Sequence, residues 1–131
     1  MTLTSDFGLS TIEQIAVNAQ DIGRAVAFYR DKLGMKLLFS VPPSLAFFDC
    51  DGIRLMLSPA PKPEFDHPSS IIYFKVDDIQ QAHATLTDRG VQFEEKPSFV
   101  ADMGTYDLWL ASFHDSENNL LALMGHVPKG K

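Results

Sequence analysis

The chain of 131 residues holds one cysteine, Cys50, and one tryptophan, Trp109. A lone thiol closes no internal disulfide, so the expected compartment is the reducing cytoplasm. Basic residues are also scarce. Eleven Lys and Arg stand against seventeen Asp and Glu, a formal net charge of -6, with no basic run. Phosphate backbones are bound through basic patches, so no nucleic-acid partner is expected. Apolar runs are only strand-sized, well short of the ~20 residues that span a bilayer, and no membrane partner is expected. The first residues, Met1 to Asp6, lack a basic segment followed by an apolar one, so no secretory signal is read. HxH, HExxH and CxxC spacings are missing, and Gly8, Gly23 and Gly34 are too scattered for a phosphate loop. Ser58, Thr105 and Ser112 have no identifiable base partner, so no triad is read.

What remains is an ordinary globular composition, 45% apolar and 21% charged, enough for one domain. The expected organisation is a single domain over 1–131: module one about 12–58, a linker at 59–69, and module two about 70–125. The linker holds four of the eight prolines, which exclude both helix and central strand. In the first module, alternation predicts a strand over Ile12 to Val17. Asp21 is positioned to cap a helix carrying Ile22, Ala25, Val26, Tyr29 and Leu33, ending at Gly34. Strands follow over Met35 to Val41, Leu45 to Cys50 and Ile53 to Ser58, the last two joined by Asp51-Gly52, the pair preferred in a type I′ turn.

The second module repeats that order. Ser70 to Val76 reads as a strand, and Asp78 caps a helix through Ile79, Ala82, His83 and Leu86 to Arg89-Gly90. Val91 to Phe93 begins a strand that Lys96-Pro97 breaks, and Tyr106 to Phe113 makes a long one. Asp115 to Asn119 is a turn in which Asn118 tolerates the left-handed conformation, and Leu120 to Met124 closes. The expected fold is α+β, two βαβββ modules forming an incomplete eight-stranded cup. Each half is too small to cover its own sheet, so the two share a core.

The run Ala25-Val26-Ala27-Phe28-Tyr29-Arg30-Asp31-Lys32-Leu33-Gly34, with Val76-Asp77-Asp78-Ile79 and Asp115-Ser116-Glu117-Asn118-Asn119-Leu120, resembles the vicinal oxygen chelate superfamily. That superfamily includes glyoxalase I, bleomycin-resistance proteins and extradiol dioxygenases, and the match runs from about Ile12 to Met124. The resemblance implies a site inside the cup, commonly a divalent metal held by His and Glu from the first and fourth strands of each module. Those places here are Gln14, Met56, Ile71 and Ala122. A catalytic divalent metal needs three or four N/O donors, and only the Gln14 amide oxygen offers one. No metal and no cofactor are therefore expected. The resemblance also implies a possible homodimer, since members commonly pair modules between chains.

Alternation places Gln14, Ala16, Asn18, Arg54, Met56, Ser58, Ile71, Tyr73, Lys75, Leu120, Ala122 and Met124 toward the cup if Ile15, Val17, Leu55, Leu57, Ile72, Phe74, Leu121 and Leu123 pack on the helices. The candidate ligand-binding residues are Gln14, Arg54, Met56, Tyr73, Lys75, Trp109 and Met124. Arg54 and Lys75 suit an anionic group, Tyr73 a stack or hydrogen bond, and Met56, Met124 and Trp109 contact area. The ligand expected is a small molecule, anionic or aromatic. The plainer alternative has Arg54 and Lys75 solvated at the rim. Trp109, with Tyr106, Phe113, Phe47 and Phe48, makes either a wall for a planar ligand or core filling, and core filling is preferred.

Three functions follow. The leading one is metal-independent small-molecule binding, in sequestration or resistance. An enzyme, a glyoxalase-like lyase, isomerase or dioxygenase, would need metal ligands in unusual places such as His114 and His126 with Asp115; no catalytic residue is assigned. An interaction protein with a collapsed cup is the third. His83 is expected to pack against the helix, His67 to lie on the linker surface, and Cys50, between Asp49 and Asp51, to be an unreactive thiol.

Overall fold

The computed structural model describes residues 7–41, 43–60, 63 and 68–129. The first half builds β1 (Gln14–Asn18), α1 (Ile22–Ala27), β2 (Lys36–Val41), β3 (Leu45–Cys50) and β4 (Ile53–Ser58). The second builds β5 (Ile72–Val76), α2 (Ile79–Asp88), β6 (Ser98–Asp102), β7 (Tyr106–His114) and β8 (Leu120–Pro128). The strands form two four-stranded sheets, ordered β1-β4-β3-β2 and β5-β8-β7-β6. In each, the first pair is parallel and the others antiparallel. The α+β class and the duplicated βαβββ order are as expected. Much of the proline segment, including His67, lies outside the described residues. No helix among the described residues is long and apolar enough to cross a membrane.

Capping and turn chemistry act where the sequence placed them. Asp21 Oδ1 accepts from the Arg24 N–H at 3.0 Å, and Asp78 Oδ1 from the Gln81 N–H at 3.1 Å. Asp51 and Gly52 take φ of 53° and 92°, the conformation a type I′ turn requires, and Asn118 takes 68°. α1 continues as a π-helical turn over Phe28–Lys32, closed by Leu33 N–H to Phe28 O at 3.1 Å. This extra width lets both Phe28 and Tyr29 face the core.

Beyond shifts of one or two residues at the starts of β1, β2 and β5, the last of which leaves Ile71 just before its strand, two boundaries differ from the sequence reading. Val91–Phe93 is not the sixth strand: Val91 is buried just after α2, and Phe93 packs at a tilt against His83, ring centroids 4.4 Å apart, and forms an isolated bridge to Phe113. Those apolar residues anchor a loop beneath the helix, and β6 begins after Pro97 rather than being broken by it. β8 runs past Met124 to Pro128, paired along all of β7. Gly125 interrupts its side-chain pattern for a packing reason. A Cβ there would sit 2.8 Å from the Ile79 Cβ, so glycine lets α2 lie close on the sheet.

One core serves both modules. Val17, Ile22, Tyr29, Phe48, Leu55 and Leu57 from the first join Ile79, Leu86, Phe113, Leu121 and Leu123 from the second. Each large side chain fully buried in this way contributes about 1.5–3 kcal/mol.

Polar contacts lock the modules together at one turn. The Tyr29 hydroxyl, fully buried, donates to Asp115 Oδ2 at 2.7 Å. Asp115 also accepts from the Glu117 and Asn119 N–H groups, both at 2.8 Å, and from Asn119 Nδ2 at 2.9 Å. Asn119 Nδ2 donates across to the Asn18 carbonyl at 2.8 Å. Glu117 Oε1 accepts from the Gln20 and Asp21 N–H groups, and Arg24 Nε donates to its Oε2 at 2.7 Å. Burial pushes the Tyr29 phenol up, and the charge and hydrogen bond of Asp115 push it further. Burial alone would raise the Glu117 carboxyl, but the Arg24 bond, the Asp21 N–H and the Ser116 hydroxyl outweigh it and hold it at about 2.

Candidate functional site

Each sheet turns one face to the shared core and leaves the other open. Strand register assigns the faces: Ile15, Val17, Leu55 and Leu57 point to the core, so their register-matched neighbours Gln14, Ala16, Arg54 and Met56 lie on the first open face. In the second sheet, Tyr73 pairs with Ala122 and Lys75 with Met124, opposite in direction to core residues Phe74, Leu121 and Leu123. Six of the seven candidate ligand residues therefore occupy open faces, in two groups: Gln14, Arg54 and Met56 on one sheet, Tyr73, Lys75 and Met124 on the other. Among the described residues no hydrogen bond or ion pair joins the groups. A groove of about 500 Å³ lined by Asn18, Ser69, Ile71 and Leu120 borders both faces at the module junction.

Trp109 stands apart. It pairs with Gly125 and shares the parity of buried Ala111 and Phe113, so it packs against the core side of its sheet. The proposed aromatic wall divides in the same way. Phe48 and Phe113 are core, whereas Phe47 and Tyr106 belong to open faces.

The first open face carries a cross-strand row. The Arg54 guanidinium lies 4.2 Å over the Phe47 ring, and Phe47 lies 5.0 Å from Phe39. Phe47 is only 8% exposed, while Phe39 is 48% exposed. Sequence alternation misses Phe39, because it shares the parity of core residue Leu37. A β-bulge between them re-aims the strand, so that Leu37 pairs with Phe48 and Phe39 with Phe47. β6 carries the matching irregularity between Phe99 and Ala101. On the second open face the Tyr106 and His126 rings stack at 4.0 Å, 16° apart.

The four positions singled out for a metal bring no hard donor set together. Gln14 Nε2 donates toward Met56 Sδ at 3.9 Å, so these two positions do meet, as an amide against a thioether. Ile71 and Ala122 are hydrocarbon. These residues do not fit a divalent metal. The displaced alternative does not assemble either. His114 pairs with Leu120 at the turn, and His126 pairs with Leu108, six residues along β7, about 20 Å away. His114 Nδ1 instead meets Glu94 at 2.7 Å, and Asp115 is committed to the module lock. Among the described residues no three His, Cys, Asp or Glu side chains group to hold a metal ion. Burial raises the Cys50 thiol, and Asp49 and Asp51 raise it further, consistent with an unreactive cysteine.

A family model described as the Glyoxalase/Bleomycin resistance protein/Dioxygenase superfamily matches residues 11–123. Comparison with curated proteins finds no match. Among solved structures, a lactoylglutathione lyase from Agrobacterium tumefaciens superposes with a TM-score of 0.73 at 20% identity, covering 89% of this chain and 94% of that one. A member of the same superfamily from Sphaerobacter thermophilus gives 0.74 at 21%, covering 89% and 98%. A virulence protein from Salmonella typhimurium gives 0.74 at 17%, covering 92% and 100%. At such identities the likeness establishes the fold alone.

Proposed function

This chain belongs to the glyoxalase/bleomycin resistance protein/dioxygenase superfamily, and on that premise we propose that it binds small organic molecules on its open sheet faces without a metal, in sequestration or resistance. The observation that carries the reading is the Gln14–Met56 contact. It joins two of the places where the superfamily resemblance puts metal ligands, and it offers a divalent cation one amide oxygen and a thioether in place of the three or four N/O donors it needs. In place of a metal the open faces offer cations and soft contact area. Arg54 and Lys75 orient an anionic group, Gln14 and Tyr73 add hydrogen bonds, and Met56 and Met124 supply adaptable surface. Trp109 serves this reading as support from behind its sheet.

A homodimer belongs to the same proposal. Phe39, Val41, Ile71 and Tyr73 are between 43% and 50% exposed on the open faces, and a second copy would enclose a ligand that one face leaves half in water. The single cysteine supports the cytoplasm as its location.

The test is metal content after dialysis of untagged protein against Ni, Zn, Mn and Fe(II), followed by melting in the presence of small organic acids. The expected result is substoichiometric metal together with a ligand-dependent rise in Tm. About one bound equivalent of any metal overturns the reading.

A further inference from the structure

The Arg54 guanidinium is exposed, yet its position is set. It rests on Phe47, and among the described residues it makes no side-chain hydrogen bond or ion pair. Its register partner Asp49 turns instead to the Gly52 N–H, which it accepts at 3.1 Å. Phe47 is held in turn by Phe39, so a row of flat groups crosses three strands, from Phe39 on β2 through Phe47 on β3 to Arg54 on β4. Gln14 on β1 pairs with Arg54 at the end of that row. Phe47 is buried within it and offers a ligand nothing. What remains open is the half-exposed ring of Phe39, the outer π face of Arg54 and the N–H fork of Arg54.

From this row we infer, within the binding reading above, that the ligand is a planar aromatic carboxylate. Its carboxylate takes the Arg54 fork with two parallel hydrogen bonds in the guanidinium plane, and its ring, carried beyond the fork, packs on the half-exposed face of Phe39. The physical reason is that neither half suffices alone. An ion pair at an exposed site is weak in water, and a stack on one exposed ring is weak as well. Arginine serves this pair, because its planar cation stacks on Phe47 and so holds in place a fork matched to a carboxylate; lysine does neither.

The experiment titrates three probes sharing one carbon skeleton, 2-naphthoate, 2-naphthamide and decahydro-2-naphthoate, into ¹⁵N-labelled protein. It follows the backbone amides and the Arg54 Nε–H signal. The expected result is that 2-naphthoate shifts Arg54, Phe39 and Phe47 and binds about fivefold more tightly than either other probe. Arg54→Lys, an exposed substitution that keeps the charge, removes that advantage, and Phe39→Leu reduces it about twofold; the amide spectrum of each variant reports its fold. Equal binding of naphthoate and its saturated analogue, both centred on Arg54, overturns the aromatic requirement and leaves the broader binding reading standing. Equal binding of naphthoate and naphthamide overturns the carboxylate requirement. An undiminished naphthoate affinity in Arg54→Lys overturns the role of the fork. No shift on either open face with any probe overturns this inference and the binding reading together.

Discussion

Two hairpin turns close the central strands of the two modules, and they differ in reach. In module one the turn at Asp49–Ile53 satisfies itself: Asp49 accepts the Gly52 N–H, and Asp51 and Gly52 supply the left-handed conformations. In module two the turn at Asp115–Asn119 extends into the other half of the chain. Asp115 takes the buried Tyr29 hydroxyl, Asn119 the Asn18 carbonyl, and Glu117 the entry to α1 together with Arg24. The duplicated order of elements thus conceals an asymmetry, because among the described residues only the second of the two equivalent turns bonds across the modules. It also gives Phe28-Tyr29-Arg30-Asp31 and Asp115-Ser116-Glu117-Asn118-Asn119, which carry the superfamily resemblance, a structural part to play. The two segments meet where Tyr29 donates to Asp115.

The largest test of that contrast is Asp115→Ala against Asp49→Ala. Removing Asp115 strands four donors, among them the phenol of a fully buried tyrosine, at a cost of about 3–5 kcal/mol. Removing Asp49 loses one exposed hydrogen bond, at about 1 kcal/mol. Urea denaturation of both variants measures the difference, and equal losses would erase the distinction between the turns.

Next in size is Glu117, which titrates in a defined direction. Its folded value of about 2 lies below its ordinary 4.5, so its contribution is fully present above pH 4.5 and is lost as pH falls from there through 2. Glu117→Gln is expected to cost about 1.5–3 kcal/mol at pH 7, since its hydrogen bonds are charge-assisted. The Tm gap between this variant and the wild type should narrow steadily between pH 4.5 and 2. A gap independent of pH would show that the carboxylate charge takes no part in the lock.

The smallest effect is expected from Gly52→Ala, which places a Cβ at φ of 92° with nothing nearby to clash. The strain is about 1 kcal/mol and purely local. Hydrogen exchange should quicken in β3 and β4 and leave Tyr29 and its surroundings protected; loss of protection in the second module would mean that this turn too couples the halves.

Much of the architecture was legible before any coordinates. Alternation separated Val17, Leu55, Leu57, Leu121 and Leu123 from Gln14, Arg54, Tyr73 and Lys75, because side-chain direction in a strand has period two. Asp21, Asp78 and Asp51-Gly52 announced their caps and turn, because that chemistry involves residues only two or three apart. The same reasoning failed wherever the backbone left its regular period or a partner came from far along the chain. A bulge carried Phe39 to the open face, and Gly125 concealed the continuation of β8. Val91 and Phe93 were drawn into the core instead of a strand.

By itself, then, the sequence determined the βαβββ order, the two faces of each sheet and the lack of a hard donor set across Gln14, Met56, Ile71 and Ala122, since all of these depend on local period and residue chemistry. Only the tertiary structure decided that Tyr29 meets Asp115, that His114 and His126 lie far apart, and that Phe39, Phe47 and Arg54 stack in one row. Those outcomes depend on register, bulges and the docking of two modules on one core, which bring together residues up to 101 positions apart in the chain.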